Sequence, residues 1–271
     1  MKRTFLLILL ISFINGSLNA QKTYALLMGV QKYSNSPVYD HKEEQDLFNP
    51  KRNVLELKKI LESSGVSASA VTGRNVNAQN IEAKIERLVE ISNVKPYQYD
   101  FIIYYSGHGA VNNMCFWDGF YEYRKFLPLL TKIKAKHIFM FVDDCHGGSA
   151  GPFIMNGASD EINQKLIFFS ASRGNETSLD SKLYAHAYFT NALIQGLRGF
   201  CDSNEDKNID VMELYQFIYD EVMARCRNFN ALPPRDRTSR SGNVMTANMH
   251  PQIFAPGFTQ EELKNTTIIR W

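Results

Sequence analysis

A histidine and a cysteine, each set among glycines, are the side chains of this sequence best suited to chemistry. His108 lies in Ser-Gly-His-Gly (106–109), and Cys145 lies in Asp-Asp-Cys-His-Gly-Gly (143–148). Cysteine hydrolysis needs a thiol that attacks a carbonyl carbon and an imidazole that handles the proton of the leaving group. The glycines would let backbone N–H groups approach a substrate oxygen. The pattern therefore indicates a candidate catalytic pair.

The same residues also allow a metal site or a purely structural role. The candidate metal ligands are His108, Asp143, Asp144, Cys145 and His146. No two cysteines have the close spacing that is typical of zinc sites. A single histidine or cysteine beside an apolar strand is more often buried and inert. The residues alone leave these alternatives open.

The elements around both segments predict how they are positioned. Continuous apolar runs predict buried strands at 24–30, 66–71, 99–105, 137–142 and 166–169, and helical patterns occur at 52–61, 80–91, 123–133, 188–197 and 211–224. Strands that alternate with helices predict an α/β fold, in which an open, mainly parallel sheet carries helices on both faces as a three-layer sandwich. Sites in such sheets form beyond the carboxyl ends of the strands. His108 and Cys145 each follow a predicted strand, so we expect them at the same edge.

The two segments resemble the signature blocks of the caspase-like cysteine peptidases. The blocks are Tyr-Tyr-Ser-Gly-His-Gly (104–109) and Val-Asp-Asp-Cys-His-Gly-Gly (142–148), and they are more similar to metacaspases and their bacterial relatives than to animal caspases. Further segments at 24–33, 168–172 and 187–193 match in order, so the resemblance covers nearly all of residues 22–225. It implies a caspase-like fold and an endopeptidase that acts on proteins or peptides and needs no cofactor for its chemistry.

The resemblance also implies a role for each matching position. Cys145 would be the nucleophile and His108 the general acid/base. The backbone N–H groups of Gly109 and Cys145 would form the oxyanion hole. Asp143 and Ser106 would line the pocket for the P1 side chain, where a buried carboxylate selects a basic group by its charge. Cleavage after Arg or Lys is therefore expected.

Two further features concern specificity and activation. The family usually has another acid near the start of the first helix, and this chain has Asn53 there, which weakens the prediction of strong basic specificity. The Gly-rich, polar segment 147–165 predicts an exposed loop. Because some relatives cut themselves, Lys165 is a candidate site of self-cleavage.

Residues 202–213 have the spacing of an EF-hand calcium loop. Oxygen-bearing side chains fall at the ligand positions, and Ile209 stands eighth. The candidate ligands are Asp202, Asn204, Asp206, Asn208, Asp210 and Glu213. Lys207 occupies the sixth position, where the sharp turn favours glycine. Calcium is thus a candidate ligand, and a polar turn that caps the helix after it is the alternative.

Residues 1–20 have the parts of a secretory signal peptide. Lys2 and Arg3 precede an apolar run at 5–14, and Ala20 precedes the predicted cut. An uncleaved membrane anchor is the alternative, but the run is short, since a spanning helix needs about 20 apolar residues. Cleavage would leave one domain, residues 21–271, whose part from about residue 228 is predicted to be loop-rich. The protein is therefore expected in the periplasm or outside the cell, with no stable membrane span.

Charge and cysteine content restrict the remaining function classes. Without Lys2 and Arg3, 28 of the 30 basic residues remain against 28 acidic ones, and no basic block suggests binding to nucleic acid. Four cysteines are too few for a disulfide scaffold. With Cys145 catalytic, Cys201 and Cys226 are the candidate pair. A catalytically silent binding module and a calcium-sensing envelope protein are alternatives, but the presence of both His108 and Cys145 favours the peptidase. No feature predicts an oligomeric state.

Overall fold

The computed structural model describes residues 22–39, 46–156, 160–179, 186–238 and 242–271. The predicted signal peptide and its cut site lie outside these residues. Within the described ranges, no helix is both long enough and apolar enough to cross a bilayer.

Strands and helices alternate along most of the chain, as predicted. The strands are β1 (Thr23–Gly29), β2 (Ser67–Thr72), β3 (Asp100–Ser106), β4 (Gly109–Ala110), β5 (Asn113–Phe116), β6 (Gly119–Glu122), β7 (His137–Asp143), β8 (Leu166–Ser170), β9 (Asn208–Asp210), β10 (Gln252–Phe254) and β11 (Thr267–Arg270). The helices are α1 (Pro50–Ser63), α2 (Ala78–Val94), α3 (Tyr123–Thr131), α4 (Gly151–Asn156), α5 (Asp160–Asn163), α6 (Tyr188–Gln195), α7 (Val211–Ala231) and α8 (Gln260–Lys264).

The central sheet has six strands in the order β10-β8-β7-β3-β1-β2. All neighbouring pairs are parallel except β10 with β8, which is antiparallel. Alternate residues of β3 point into two separate cores. Ile102 and Tyr104 pack with α1, α6 and α7 on one face, whereas Phe101, Ile103 and Tyr105 pack with α2 and α3 on the other. The predicted three-layer α/β sandwich is therefore confirmed.

A small antiparallel sheet, in the order β4-β5-β6, begins directly after His108. The sequence analysis did not predict it, because strands of two to four residues carry little periodic signal. This sheet fixes the path of the chain as it leaves the histidine.

The last long helix extends beyond its predicted end at residue 224. α7 begins with a capping box, in which Asp210 accepts from the Glu213 N–H, and it runs to Ala231. Cys226 and Phe229 are buried and continue the apolar stripe from Val222 at helical spacing, so packing outweighs the polar residues between them. The prediction of a loop from residue 228 is thus wrong for 228–231, and β10, α8 and β11 follow further on.

The segment 147–165 is structured in its described part and contains α4 and α5. Lys165 is buried, and its ammonium group donates to the carbonyl oxygens of Thr131 at 2.9 Å and Ile133 at 2.8 Å. A lysine can be buried in this way because carbonyl oxygens at the end of α3 accept hydrogen bonds from its ammonium group. The prediction of Lys165 as an exposed cut site is therefore wrong. Residues 157–159 of the segment lie outside the described residues.

Candidate active site

His108 and Cys145 leave the sheet from neighbouring strands at the same level. β3 and β7 pair in register from Asp100 opposite His137 to Ser106 opposite Asp143, so each reactive residue lies two positions beyond the last pair. The Gly107 N–H donates to the Asp143 carbonyl oxygen at 3.3 Å and continues the contact past the strands. Both reactive side chains are partly exposed.

The loop that carries His108 touches the main chain of Cys145. A Cβ added to Gly109 would lie 2.2 Å from the Cys145 carbonyl oxygen and 2.5 Å from the Asp144 carboxyl group. No side chain tolerates such separations, so glycine allows the approach. The structure thus brings Gly109 and Cys145, the two residues predicted to form the oxyanion hole, into contact.

The loop after β8, residues 171–179, is hydrogen-bonded to the loop that carries Cys145. His146 has a left-handed backbone with φ of 65°, which is uncommon for a residue other than glycine. Its N–H donates to the Glu176 carbonyl oxygen at 2.9 Å, and its Nδ1 lies 3.0 Å from the Gly174 carbonyl oxygen. Gly148 N–H donates to the Ser172 carbonyl oxygen at 2.9 Å. These bonds hold the turn that places the cysteine.

The thiol of Cys145 contacts the same loop. Its Sγ donates to the Ser178 carbonyl oxygen at 3.7 Å. Burial raises the pKa of the Cys145 thiol to about 11, and the carboxyl groups of Asp144 and Asp143 act in the same direction. The thiol is therefore protonated at neutral pH in this arrangement, so it must lose its proton when it attacks.

We expect the alkylation of Cys145 without substrate to follow this raised pKa. The thiolate is the reactive form, and an unperturbed cysteine has a pKa of about 8.5. The alkylation rate should therefore still be rising at pH 10, where an ordinary cysteine has levelled off. Mass spectrometry after timed iodoacetamide pulses would measure the rate, with circular dichroism to show that the fold persists. A plateau below pH 9 would contradict the prediction.

Asp143 lies two residues before Cys145, and two hydroxyl groups donate to its carboxyl group. It is 3% exposed. Its Oδ1 accepts from the Ser178 hydroxyl at 2.9 Å, and its Oδ2 accepts from the Thr190 hydroxyl. The Thr190 hydroxyl in turn lies 2.5 Å from that of Tyr104. The hydroxyl groups of Ser178 and Thr190 therefore donate hydrogen bonds to the buried carboxyl group and fix its orientation.

The other predicted pocket residues lie beside Asp143. Ser106 is its partner across the two strands, and the Asn53 amide donates to the Ser106 hydroxyl at 3.2 Å. The Asn53 Oδ1 lies 3.0 Å from Nδ1 of His186. The structure therefore brings Asn53, Ser106 and Asp143 together, although they come from three different elements.

Three residues of this cluster were missed by the sequence analysis: Ser178, His186 and Thr190. Thr190 stood within the family-like segment 187–193, which is the one sequence signal that pointed to it. Burial lowers the pKa of His186, and the nearby Arg52 cation acts in the same direction, so the imidazole is neutral at neutral pH. A neutral imidazole next to Asn53 adds an uncharged polar group to this cluster.

Asp144, next to Cys145, points into the interior. Burial raises the pKa of its carboxyl group well above the ordinary value. Its Oδ2 accepts from the Tyr123 hydroxyl at 3.1 Å, whereas its Oδ1 has no hydrogen-bond partner. Across the described residues, no three side chains of His, Cys, Asp or Glu are grouped so that they could hold a metal ion. The metal interpretation of the His108 and Cys145 segments therefore has no geometric support.

The candidate calcium loop folds as an exposed turn before α7. Lys207, in the sixth position, has a left-handed backbone with φ of 63°. Its N–H donates to the Asp202 carboxylate at 2.9 Å, and the Asp206 N–H donates to Asn204 at 2.9 Å. Glu213 accepts from Ser203 and closes the helix capping box. The helix-capping alternative describes these contacts, and calcium binding stays a prediction.

All four cysteines lie in the described part of the chain and are free thiols. Cys115, Cys201 and Cys226 are buried, and Cys145 is partly exposed. The candidate disulfide between Cys201 and Cys226 is therefore not formed. Cys145 is also the most accessible thiol for a substrate.

Comparisons with known proteins agree with this architecture. The family description of the Peptidase C14 caspase domain matches residues 22–244. The crystal structure of protein GSU0716 from Geobacter sulfurreducens is similar with a TM-score of 0.60 and 15% identity, covering 90% of this chain and 97% of that one. Caspase-1 from Spodoptera frugiperda is similar with a TM-score of 0.58 and 14% identity, covering 86% and 85%.

At 15% and 14% sequence identity, the similarity to these two crystal structures shows the fold alone. No curated protein gives a significant match. The family match spans well over half of the chain and includes both reactive segments. The chain therefore belongs to the caspase domain family of cysteine peptidases.

Proposed function

We propose that the protein is an exported caspase-like endopeptidase that hydrolyses peptide bonds after Arg or Lys through Cys145 and His108. The observation that carries the proposal is the strand register that sets the two residues at one edge, with Gly109 against the main chain of Cys145. Export rests on the signal-peptide pattern of residues 1–20, which predicts a periplasmic or extracellular protein.

The proposed reaction is acyl transfer through a thioester. The proton of the Cys145 thiol passes to His108 as the sulfur attacks the peptide carbonyl carbon, and the N–H groups of Gly109 and Cys145 face the oxyanion. The C–N bond then breaks, and His108 gives its proton to the leaving amine. Water attacks the thioester, His108 takes one of its protons, and the acid leaves as the sulfur regains a proton.

The pocket contacts support a basic P1 residue. A substrate that enters must displace the Ser178 carbonyl from the thiol, and with it the Ser178 hydroxyl from Asp143. An Arg or Lys head group would replace that hydroxyl with a charge-assisted hydrogen bond, which is about twice as strong as a neutral one. Asn53 and His186 contribute polarity without charge, so Asp143 would be the main source of the preference.

A panel of fluorogenic peptides that differ only in P1 tests the specificity. We expect Arg and Lys peptides to be cut much faster than Asp or norleucine peptides. Equal rates on Arg and Asp peptides would reject the basic pocket. In parallel, an Arg-based covalent thiol inhibitor should label Cys145, and peptide mapping would identify the modified residue. Labelling at another cysteine would reject the assignment of the nucleophile.

A catalytically silent caspase-like module is the second candidate, and one observation favours it. The Cys145 thiol is protonated and engaged by Ser178 in this arrangement. The same labelling experiment distinguishes the two functions, because a silent module would leave Cys145 unmodified by the inhibitor although free iodoacetamide reaches it at high pH.

A further inference from the structure

Two buried tyrosines bind both backbone polar groups of His108. The His108 N–H donates to the Tyr33 hydroxyl at 2.8 Å. The Tyr105 hydroxyl lies 2.9 Å from the His108 carbonyl oxygen, and its one proton is shared between this oxygen and the Cys115 carbonyl oxygen. Both tyrosines are fully buried. The main chain of the proposed acid/base residue is therefore held by side chains at its donor and at its acceptor.

The two hydroxyls belong to one network that joins three elements. The carbonyl oxygen of Cys115, in β5, lies 2.9 Å from the Tyr33 hydroxyl and 2.6 Å from the Tyr105 hydroxyl. The Cys115 N–H donates back to the His108 carbonyl oxygen at 3.0 Å. Tyr33 follows β1 and His108 follows β3. The network thus ties the ends of two sheet strands to the small sheet, with the histidine at its centre.

Both hydroxyls stay protonated at any pH at which the protein works, so Tyr33 can accept from the His108 N–H while it donates to Cys115. Burial raises the pKa of Tyr33 and of Tyr105 well above the ordinary value for a phenol. A buried N–H or C=O group that loses its partner bears its full desolvation cost. Loss of the Tyr33 hydroxyl removes an acceptor of the His108 N–H. Loss of the Tyr105 hydroxyl leaves the His108 carbonyl oxygen its bond from the Cys115 N–H but removes the second donor. The His108 loop should therefore shift in both cases.

The glycine before the histidine is explained by the same contacts. A Cβ on Gly107 would lie 2.5 Å from the Tyr105 hydroxyl and 2.6 Å from the Tyr33 hydroxyl. The Tyr33 ring lies 4.5 Å from the imidazole of His108, centroid to centroid. Tyr33 is itself fixed, because its N–H donates to the Asp46 carboxylate at 2.9 Å. Glycine at position 107 therefore leaves the space that the two hydroxyl groups occupy.

We propose that Tyr33 and Tyr105 are positioning residues, whose hydroxyls hold the His108 main chain so that the imidazole reaches Cys145. The inference rests on the proposed peptidase function, in which His108 moves the protons. The two hydroxyls contact main-chain atoms of His108, so they act through the position of the histidine.

Phenylalanine substitutions test the proposal because they keep the rings and remove the hydroxyls. In Tyr33→Phe and in Tyr105→Phe we expect kcat on the best peptide to fall by about tenfold to a hundredfold, with KM changed by less than about twofold. Tyr121→Phe is the matched control. Tyr121 is a buried tyrosine in the same core, and its hydroxyl donates to Glu82 at 2.6 Å, away from the histidine. The control should lose comparable thermal stability and keep its kcat within about twofold.

An NMR measurement reads the position of His108 without requiring activity. The ¹H–¹³C signal of the His108 imidazole, assigned with His108→Gln, should shift in Tyr33→Phe and in Tyr105→Phe but not in Tyr121→Phe. An unmoved signal, an unchanged kcat, or a loss of kcat that Tyr121→Phe reproduces would overturn the inference. If the wild-type protein cuts no peptide while the signal still shifts, the peptidase proposal fails and the hold of the two hydroxyls on His108 stands.

Discussion

Cys145→Ala should lower peptide hydrolysis by about four orders of magnitude or more, since the nucleophile of a covalent mechanism has no substitute in the site. The folded state should survive, because Cys145 is partly exposed and its thiol makes one long contact, to Ser178. Initial rates on the best fluorogenic peptide, together with thermal melting, measure both effects.

Cys226→Ala is the matched control for this experiment. Cys226 is a buried free thiol on α7, in the core between the sheet and helices α1, α6 and α7. Its replacement should lower the melting temperature more than Cys145→Ala does and leave kcat close to that of the wild type. Residual hydrolysis in Cys145→Ala above about one part in a hundred would contradict the proposed chemistry.

Asp143→Asn should remove the preference for basic substrates while it keeps the shape of the pocket. Breaking a buried charge pair costs about 2–5 kcal/mol, which corresponds to a fall of roughly thirtyfold to a few thousandfold in kcat/KM on Arg peptides. Norleucine peptides have a P1 side chain of similar length without charge, so their kcat/KM should change by less than about threefold. The ratio of the two values is the quantity to measure.

The uncharged peptide is the internal control for this prediction. If Asp143→Asn slows Arg and norleucine peptides equally, Asp143 supports the Cys145 loop and does not select the P1 side chain. If it leaves the Arg rate unchanged, the pocket lies elsewhere. Asn53→Asp is the opposite substitution, since it restores an acid where the family usually has one, and it should increase the Arg preference.

The edge of the sheet that carries the candidate site could be predicted from the sequence. The runs before His108 and Cys145 are apolar without alternation, because β3 and β7 are buried on both faces. Their adjacency follows from the parallel α/β pattern. This local information was enough to place the imidazole and the thiol at one edge.

The contacts that surround the pair could not be predicted in this way. The hydroxyls on Asp143 come from residues 35 and 47 positions away along the chain. Ser178 and Thr190 reach it only once the loop after β8 and helix α6 have packed. The burial of Lys165 likewise depends on carbonyl oxygens that the end of α3 presents in three dimensions. The periodicity of the sequence does not predict such long-range contacts.

The antiparallel strand β10 affects how the molecule can be shortened. The family match ends at residue 244, but β10 begins at Gln252 and covers β8 from Phe168 to Ser170. A protein truncated after residue 244 would lack β10, and the buried, apolar strand β8 would become an exposed edge strand. Exposed edge strands pair with strands of other chains, so they favour aggregation into fibres and precipitation. β10 therefore protects the edge of β8 from pairing with other chains.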